Sequence, residues 1–256
     1  MKDVQKEPDS RNIQIDRVGV KGVSYPIIAL DHNNKTQSTI AQVSMSVMLP
    51  REYRGTHMSR FIETLEEYHG RVSPHNLEAV TSRLCEKLHA SESSVSFSFP
   101  YYFRKKAPVS GIESFSKCDI TLQASCSPSG FDMVIGLALN VQTLCPCSKE
   151  ISDFGAHNQR ALVELYVRNN GLLWFEEMIA MIEDSASAPL YTLLKREDEK
   201  FITEMAYSRP RFVEDVLREL AVRLDEEKRV LWYKVSVTSY ESIHGHDAFA
   251  EIERTK

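Results

Sequence analysis

Two switches of hydrophobic period, in the same order in each half of the chain, constrain this sequence most. In the first half, Val18 to Leu30 reads as an imperfect strand interrupted by Pro26. Thr39 to Leu49 alternates cleanly through Val43, Met45, Val47 and Leu49. A period of two marks a strand with one buried face. The spacing then turns helical, with Met58, Phe61, Ile62 and Leu65 on one face of His57 to Tyr68. Leu77, Val80, Leu84 and Leu88 form a second stripe over Asn76 to Leu88. Val95, Phe97 and Phe99 return to strand spacing, and Lys117 to Ser125 is a further strand.

The second half runs through the same series. Phe131 to Leu144 and Gln159 to Val167 read as strands, and Leu172 to Ser185 as an amphipathic helix. Arg211 to Leu224 is a second helix, starting just after Pro210 as proline sterics favour. Tyr233 to Val237 and Ala248 to Ile252 close the series. The pattern predicts an α+β fold of two ββααββ units, residues 17–128 and 129–256, meeting near Pro128-Ser129-Gly130 behind a flexible leader, 1–16. A four-stranded antiparallel sheet covered by helices on one face leaves its other face and its edges unpartnered. The economical solution is a barrel built from the sheets of several units, helices outside. That implies a homo-oligomer with sites at unit interfaces.

Composition narrows the function. The 31 basic and 36 acidic residues leave a formal net charge of −5, which argues against nucleic acid or a membrane surface as partner. No apolar run reaches the roughly 18 residues a membrane span needs, and the polar N-terminus carries no signal core, so a cytoplasmic location is expected. Five cysteines in a chain this long do not make a disulfide scaffold. Cys85, Cys118 and Cys126 sit in helix- or strand-like patterns and read as core filler.

Cys145 and Cys147 read differently, because the stretch Leu144-Cys145-Pro146-Cys147-Ser148-Lys149 to His157-Asn158-Gln159-Arg160 is longer and richer in chemistry than a strand connection requires. A thiolate and an imidazole are ligands for zinc-like ions, and so small a set leaves a coordination position open for water, as catalysis needs. Cys147, beside Lys149, suits a nucleophile or a proton donor as well as a ligand. The charged run 194–204 is flanked by apolar residues, and a carboxylate from it could complete a metal shell. Glu214 and Asp215 lie in the first turn of the Arg211 helix, where the macrodipole alone explains them. The alternative is a buried carboxylate reading the N1–H and amine of a guanine. Near the C-terminus, His244 and His246 flank Gly245, with Glu241 close enough to tune a proton-transferring imidazole. Arg54 to Phe61 opens a helix, and His57 and Arg60 are anion-binding candidates there.

With these residues in view, the sequence resembles GTP cyclohydrolase type IB. The likeness runs from about Gln37 to Ile252, carried by the Cys145–Arg160 stretch and by Gly55-Thr56-His57-Met58-Ser59-Arg60-Phe61. Further blocks are Ala107-Pro108-Val109-Ser110-Gly111, Leu193-Leu194-Lys195-Arg196 with Asp198-Glu199-Lys200, Phe212-Val213-Glu214-Asp215 and Glu241-Ser242-Ile243-His244. Where the family has Asn-Pro before Phe-Val-Glu-Asp, this chain has Arg209-Pro210-Arg211. The resemblance implies the tunnelling fold, usually a homotetramer, and conversion of GTP to 7,8-dihydroneopterin triphosphate and formate on the way to tetrahydrofolate or queuosine. It implies Cys145, His157 and Glu199 as ligands of a divalent metal (zinc, manganese or iron) that activates water for attack at guanine C8. It further implies Glu214 as purine anchor and Cys147, Glu241 and His244 around the reacting carbon. Arg60, Lys149, Lys195 and Arg196, with His57, are candidates for the triphosphate. Rival readings are a nitrile reductase of the same fold, an archaeal-type cyclohydrolase releasing a cyclic phosphate, and a non-catalytic purine- or pterin-binding module with a structural metal.

Overall fold

A computed structural model describes residues 5, 7–32 and 35–256. Its first half comprises β1 (Ile15–Asp31), β2 (Lys35–Leu49), α1 (Ser59–Glu67), α2 (Leu77–Leu88), β3 (Ser93–Lys106) and β4 (Glu113–Ser127). The second comprises β5 (Gly130–Leu144), α3 (Pro146–Ile151), β6 (Asn158–Asn169), α4 (Phe175–Ser185), β7 (Ala188–Pro189), α5 (Arg196–Ser208), α6 (Val213–Glu226), β8 (Val230–Ser239) and β9 (Ala248–Thr255). Every expected strand and helix is present, and the α+β class holds. The strands are hydrogen-bonded in the order β1-β2-β3-β4-β5-β6-β8-β9, with β7 joined to β5. This path has two ends, β1 and β9, so the described residues of one chain close no barrel. The second half also holds more than two helices: α3 forms in the stretch read as a connection between strands, and α5 where the periodicity showed no helix.

Two compact units divide the chain, Met1–Pro100 with Ile120–Ile135, and Tyr101–Asp119 with Gly136–Lys256. The long strands β3, β4 and β5 therefore give residues to both, and Pro128-Ser129 is the turn between β4 and β5. Of the expected leader, residues 1–4 and 6 lie outside the described residues. Gln5 and Glu7 accept backbone hydrogen bonds from Gly55 and Arg54, each at 3.1 Å.

In the first unit, β1 and β2 pair antiparallel with two register shifts, and the alternation of β2 buries Ala41, Val43, Met45, Val47 and Leu49. Helices α1 and α2 bury Phe61, Leu65, Leu77, Val80 and Leu84. The chain leaves α1 through Gly70 at φ +70°, whose carbonyl accepts the Ile28 N–H at 2.7 Å. A Cβ at Gly70 would lie 2.5 Å from the Pro26 carbonyl oxygen, so both conformation and space demand glycine.

In the second unit, α4 buries Phe175, Met178, Ile179 and Ile182, and α6 buries Val213, Val216, Leu217, Leu220 and Leu224. Each fully buried Val, Leu, Ile or Met side chain stabilises by roughly 1.5–3 kcal/mol. The strand faces bury Ala161, Val163, Leu165 and Val167 on β6 and Tyr233, Val235 and Val237 on β8. At the start of α4, Glu177 accepts the Trp174 N–H at 2.9 Å and is gripped by Arg229 at 2.7 Å, which also holds Glu227.

Most of the charged run 194–204, to which the sequence reading assigned no element, lies in helix α5. Ile202 and Ala206, four residues apart, pack on Leu144 and Ala188, with Ala156, Tyr191 and Met205 around them. This stripe is too narrow to dominate the charges beside it. The first turn of the helix is fixed by Asp198, which is fully buried and accepts N–H bonds from Lys195, Val109 and Ser110, each at 2.9 Å, and the Ser110 hydroxyl at 2.6 Å. Burial alone would push this carboxyl up, but the Ser110 hydroxyl and the three N–H donors hold it well below the usual carboxylate range. No helix among the described residues is long and apolar enough to cross a membrane.

Candidate active site

Strand β5 ends at Leu144, and the chain turns through Cys145 into the short helix α3. Cys145 is extended and occupies the N-cap, followed by Pro146, whose fixed φ suits a first helical position. Its Sγ accepts the Ser148 N–H at 3.4 Å. The loop then returns so that the Cys145 N–H donates to the His157 carbonyl at 3.1 Å, while the His157 N–H donates to Ser148 Oγ at 3.2 Å. Twelve residues apart in sequence, Cys145 and His157 are thus locked side by side at the mouths of β5 and β6.

They open on a pocket of about 380 Å³. Its wall gathers Cys145, Cys147, His157, Glu214, Glu241 and His244, six of the residues singled out from sequence. Glu214 reaches it from the first turn of α6, Glu241 and His244 from the connection between β8 and β9. Arg211 pins the start of α6 to the thiol loop by donating its N–H to the Leu144 carbonyl at 3.0 Å. Glu214 is exposed in the single chain, unlike the buried carboxylate of the guanine-reading alternative, because its place in the first turn faces the open pocket.

The other candidates lie elsewhere. Glu199 is exposed on α5 and does not line this pocket. Among the described residues no three His, Cys, Asp or Glu side chains form a ready ligand cluster. Lys149 donates to the Tyr207 carbonyl at 2.6 Å and covers that ring at 4.4 Å, so it fastens α3 to α5. Lys195 and Arg196 are exposed at the start of α5. His57 and Arg60 belong to the first unit, where Arg60 caps α2 by donating to the Lys87 carbonyl at 2.6 Å.

Sequence reading passed over several residues on the wall. Thr143, Gln159 and Ser239 each continue an otherwise apolar row, on β5, β6 and β8 respectively. A polar residue with the parity of a buried strand face was the available signal. Arg211 and Phe212 also line the pocket; the Arg211 Nε is buried without a hydrogen-bond acceptor among the described residues, while another guanidinium nitrogen pairs with Glu219 at 3.2 Å. His246 stacks on His244 with ring centroids 5.3 Å apart.

Comparison with known proteins adds three findings. Residues 1–250 match the model of the family described as type I GTP cyclohydrolase folE2. The chain is 52% identical over 256 residues to the GTP cyclohydrolase FolE2 of Kosmotoga olearia, covering 100% of this chain and 99% of that one. It is 48% identical to the FolE2 of Thermosipho africanus, over 98% of this chain and 96% of the other. Among solved structures, the uricase of Arthrobacter globiformis superposes with a TM-score of 0.58 at 9% identity, covering 94% of this chain and 93% of its own. The urate oxidase of Bacillus sp. TB-90 gives 0.56 at 11%, over 94% of this chain and 100% of that one. At such identities the likeness shows the fold alone.

Proposed function

Because the chain belongs to the type I GTP cyclohydrolase FolE2 family, and so is a GTP cyclohydrolase, we propose that the pocket walled by Cys145, Cys147, His157, Glu214, Glu241 and His244 is where its GTP reacts. The observation that carries this reading is the convergence of those six side chains, drawn from separated stretches, on one cavity. The products are 7,8-dihydroneopterin triphosphate and formate, and the pathway served is tetrahydrofolate synthesis, with queuosine a second outlet. Family membership removes the nitrile reductase and the non-catalytic module as readings of this chain.

The Glu214 carboxylate accepts the guanine N1–H and exocyclic amine together, a bidentate pairing that selects guanine. Arg211 lines the same pocket and keeps a positive charge on its wall while pairing with Glu219 at 3.2 Å. Cys145 and His157 fit a divalent cation of the zinc, manganese or iron kind. The thiol already serves as an acceptor, and the imidazole has its Nδ1 engaged 2.9 Å from Gln159, which leaves Nε2 for a ligand bond. Glu199 is the third ligand implied by resemblance. What a cation supplies there is acidification of water near neutral pH. His244 protonates the purine nitrogen that leaves as the C8–N bonds break, Glu241 relays the proton, and Cys147 stands by as a second donor.

The open strand path and the exposed β9 edge support assembly into a homo-oligomer, a tetramer in the tunnelling fold. Its substrate, an intracellular nucleotide, puts the enzyme in the cytoplasm. The test is GTP turnover by chelated protein re-supplied with single divalent ions, read as neopterin fluorescence after oxidation, alongside Glu214→Ala. Chelation abolishes turnover and at least one ion restores it. Losing a bidentate pair to a charged group, worth ~1.5–3 kcal/mol, raises the KM of Glu214→Ala for GTP about 10- to 100-fold. Its metal content stays that of the wild type. Full turnover after chelation, or metal loss in Glu214→Ala, contradicts the assignment.

A further inference from the structure

The Gln159 side chain touches both His157 and Glu241. Its Oε1 lies 2.9 Å from His157 Nδ1. Its Nε2 lies 3.4 Å from Glu241 Oε1 and 3.2 Å from Thr143 Oγ1. Ser242 Oγ completes the cluster, 3.3 Å from His157 Nδ1 and 3.4 Å from Gln159 Oε1. The amide cannot be turned round without loss. A carboxylate only accepts, so the NH2 end must face Glu241 and the carbonyl end must face the imidazole. A carbonyl also only accepts, so the proton of neutral His157 must sit on Nδ1. The lone pair is then on Nε2, the nitrogen not used within the cluster.

We propose that Gln159 is a positioning residue with two jobs: it fixes the His157 tautomer and ring so that Nε2 is presented as a ligand, and it holds Glu241 in place for proton relay. The inference rests on the reading of His157 as a metal ligand. Buried Thr143, itself 3.4 Å from Ser239, anchors the amide and keeps it from swinging into the pocket. Partners on the far ring nitrogen of a metal-binding histidine typically change metal affinity or activity by about 10- to 100-fold when removed.

The two jobs separate by substitution. Gln159→Glu keeps an acceptor for His157 Nδ1 but replaces the donor facing Glu241 with a second carboxylate oxygen. Gln159→Ala removes both. Chelated wild type, Gln159→Glu, Gln159→Ala and His157→Ala are titrated with Co(II), followed by visible absorption and by competition with a chromophoric chelator. Zinc-loaded samples are assayed in parallel for kcat and KM. Gln159→Glu binds Co(II) as tightly as wild type or more tightly, while its kcat falls at least tenfold with little change in KM. Gln159→Ala loses about 10- to 100-fold in Co(II) affinity as well as kcat. Far-UV circular dichroism and thermal midpoints of the variants exclude misfolding as the cause. If His157→Ala loses Co(II) binding but Gln159→Ala does not, the role given to Gln159 is overturned while His157 keeps its own. If His157→Ala binds Co(II) like wild type, the ligand assignment falls and takes this inference with it. Equal kcat for Gln159→Glu and wild type overturns the link to Glu241.

Discussion

Leu144→Ala tests whether the thiol loop owes its position to the small cluster beneath it. Leu144 is buried against Ala188, Ile202 and Ala206, immediately before Cys145. Its peptide groups are fixed on both sides, the N–H donating to Ser187 Oγ at 3.1 Å and the carbonyl accepting Arg211 at 3.0 Å. The substitution deletes Cγ and both Cδ atoms. Two of the three buried neighbours are alanines, leaving only Ile202 and the partly buried Tyr191 and Met205 to move in, so much of the cavity persists. Core Leu→Ala changes cost ~2–5 kcal/mol, and poor collapse places this one at about 3–4 kcal/mol. For a chain of 256 residues that corresponds to a thermal midpoint lower by about 6–16 °C, at ~2–4 °C per kcal/mol. Urea unfolding measures the loss, with Leu144→Met as a volume-conserving control costing less than about 1.5 kcal/mol. The folded variant also shows a raised KM for GTP, since the Cys145 loop and the start of α6 meet at this residue. A loss under about 1 kcal/mol, or equal damage from methionine and alanine, refutes the reasoning.

Gly70→Ala combines a left-handed backbone, costing ~1–2 kcal/mol, with a Cβ 2.5 Å from the Pro26 carbonyl oxygen; a loss of at least about 2 kcal/mol in urea unfolding is expected, and tolerance of alanine contradicts it. Acid destabilises the fold in a defined window. Arg83 and Lys87 hold the Glu67 carboxyl at about 2 and Arg229 does the same for Glu227, both below the ordinary 4.5. Their contribution is therefore complete above pH 4.5 and is lost as pH falls toward 2, joined by that of Asp198; denaturation midpoints flat between pH 5 and 3 exclude it. Cys147 is exposed, whereas burial first, and then nearby acidic groups, push the Cys118 thiol far up. Iodoacetamide at pH 8 followed by mass spectrometry finds Cys147 modified in the native protein and Cys118 only after unfolding; comparable rates contradict the burial assigned to Cys118.

Most of the fold was legible because the strands are half-buried. A period of two survives in β2, β6 and β8 because each buries one face, and α4 and α6 carry stripes broad enough to read. Helix α5 was not legible, since its buried stripe is little more than Ile202 and Ala206 and the inward Asp198 looks like its charged neighbours. The site was readable where residue chemistry is distinctive, as in the Cys145–His157 loop, Glu241 and His244. Gln159 stood inside the stretch quoted from sequence but drew no role, because a neutral amide carries no chemical flag. Its meaning lies in the parity it shares with Ala161 and Val163 and in the partners the sheet brings to it. The phosphate candidates illustrate the reverse limit. Lys149 and Arg60 are cations engaged by helix-end carbonyls, of Tyr207 on α5 and Lys87 on α2, which no spacing rule foretells.

Anomalous diffraction from zinc-loaded crystals soaked with a slowly reacting GTP analogue reads the catalytic centre directly. One peak is expected about 2.3 Å from Cys145 Sγ and about 2.0–2.1 Å from His157 Nε2, with the guanine edge against Glu214. A cation ligated by neither side chain, or a nucleotide seated outside this pocket, contradicts the assignment.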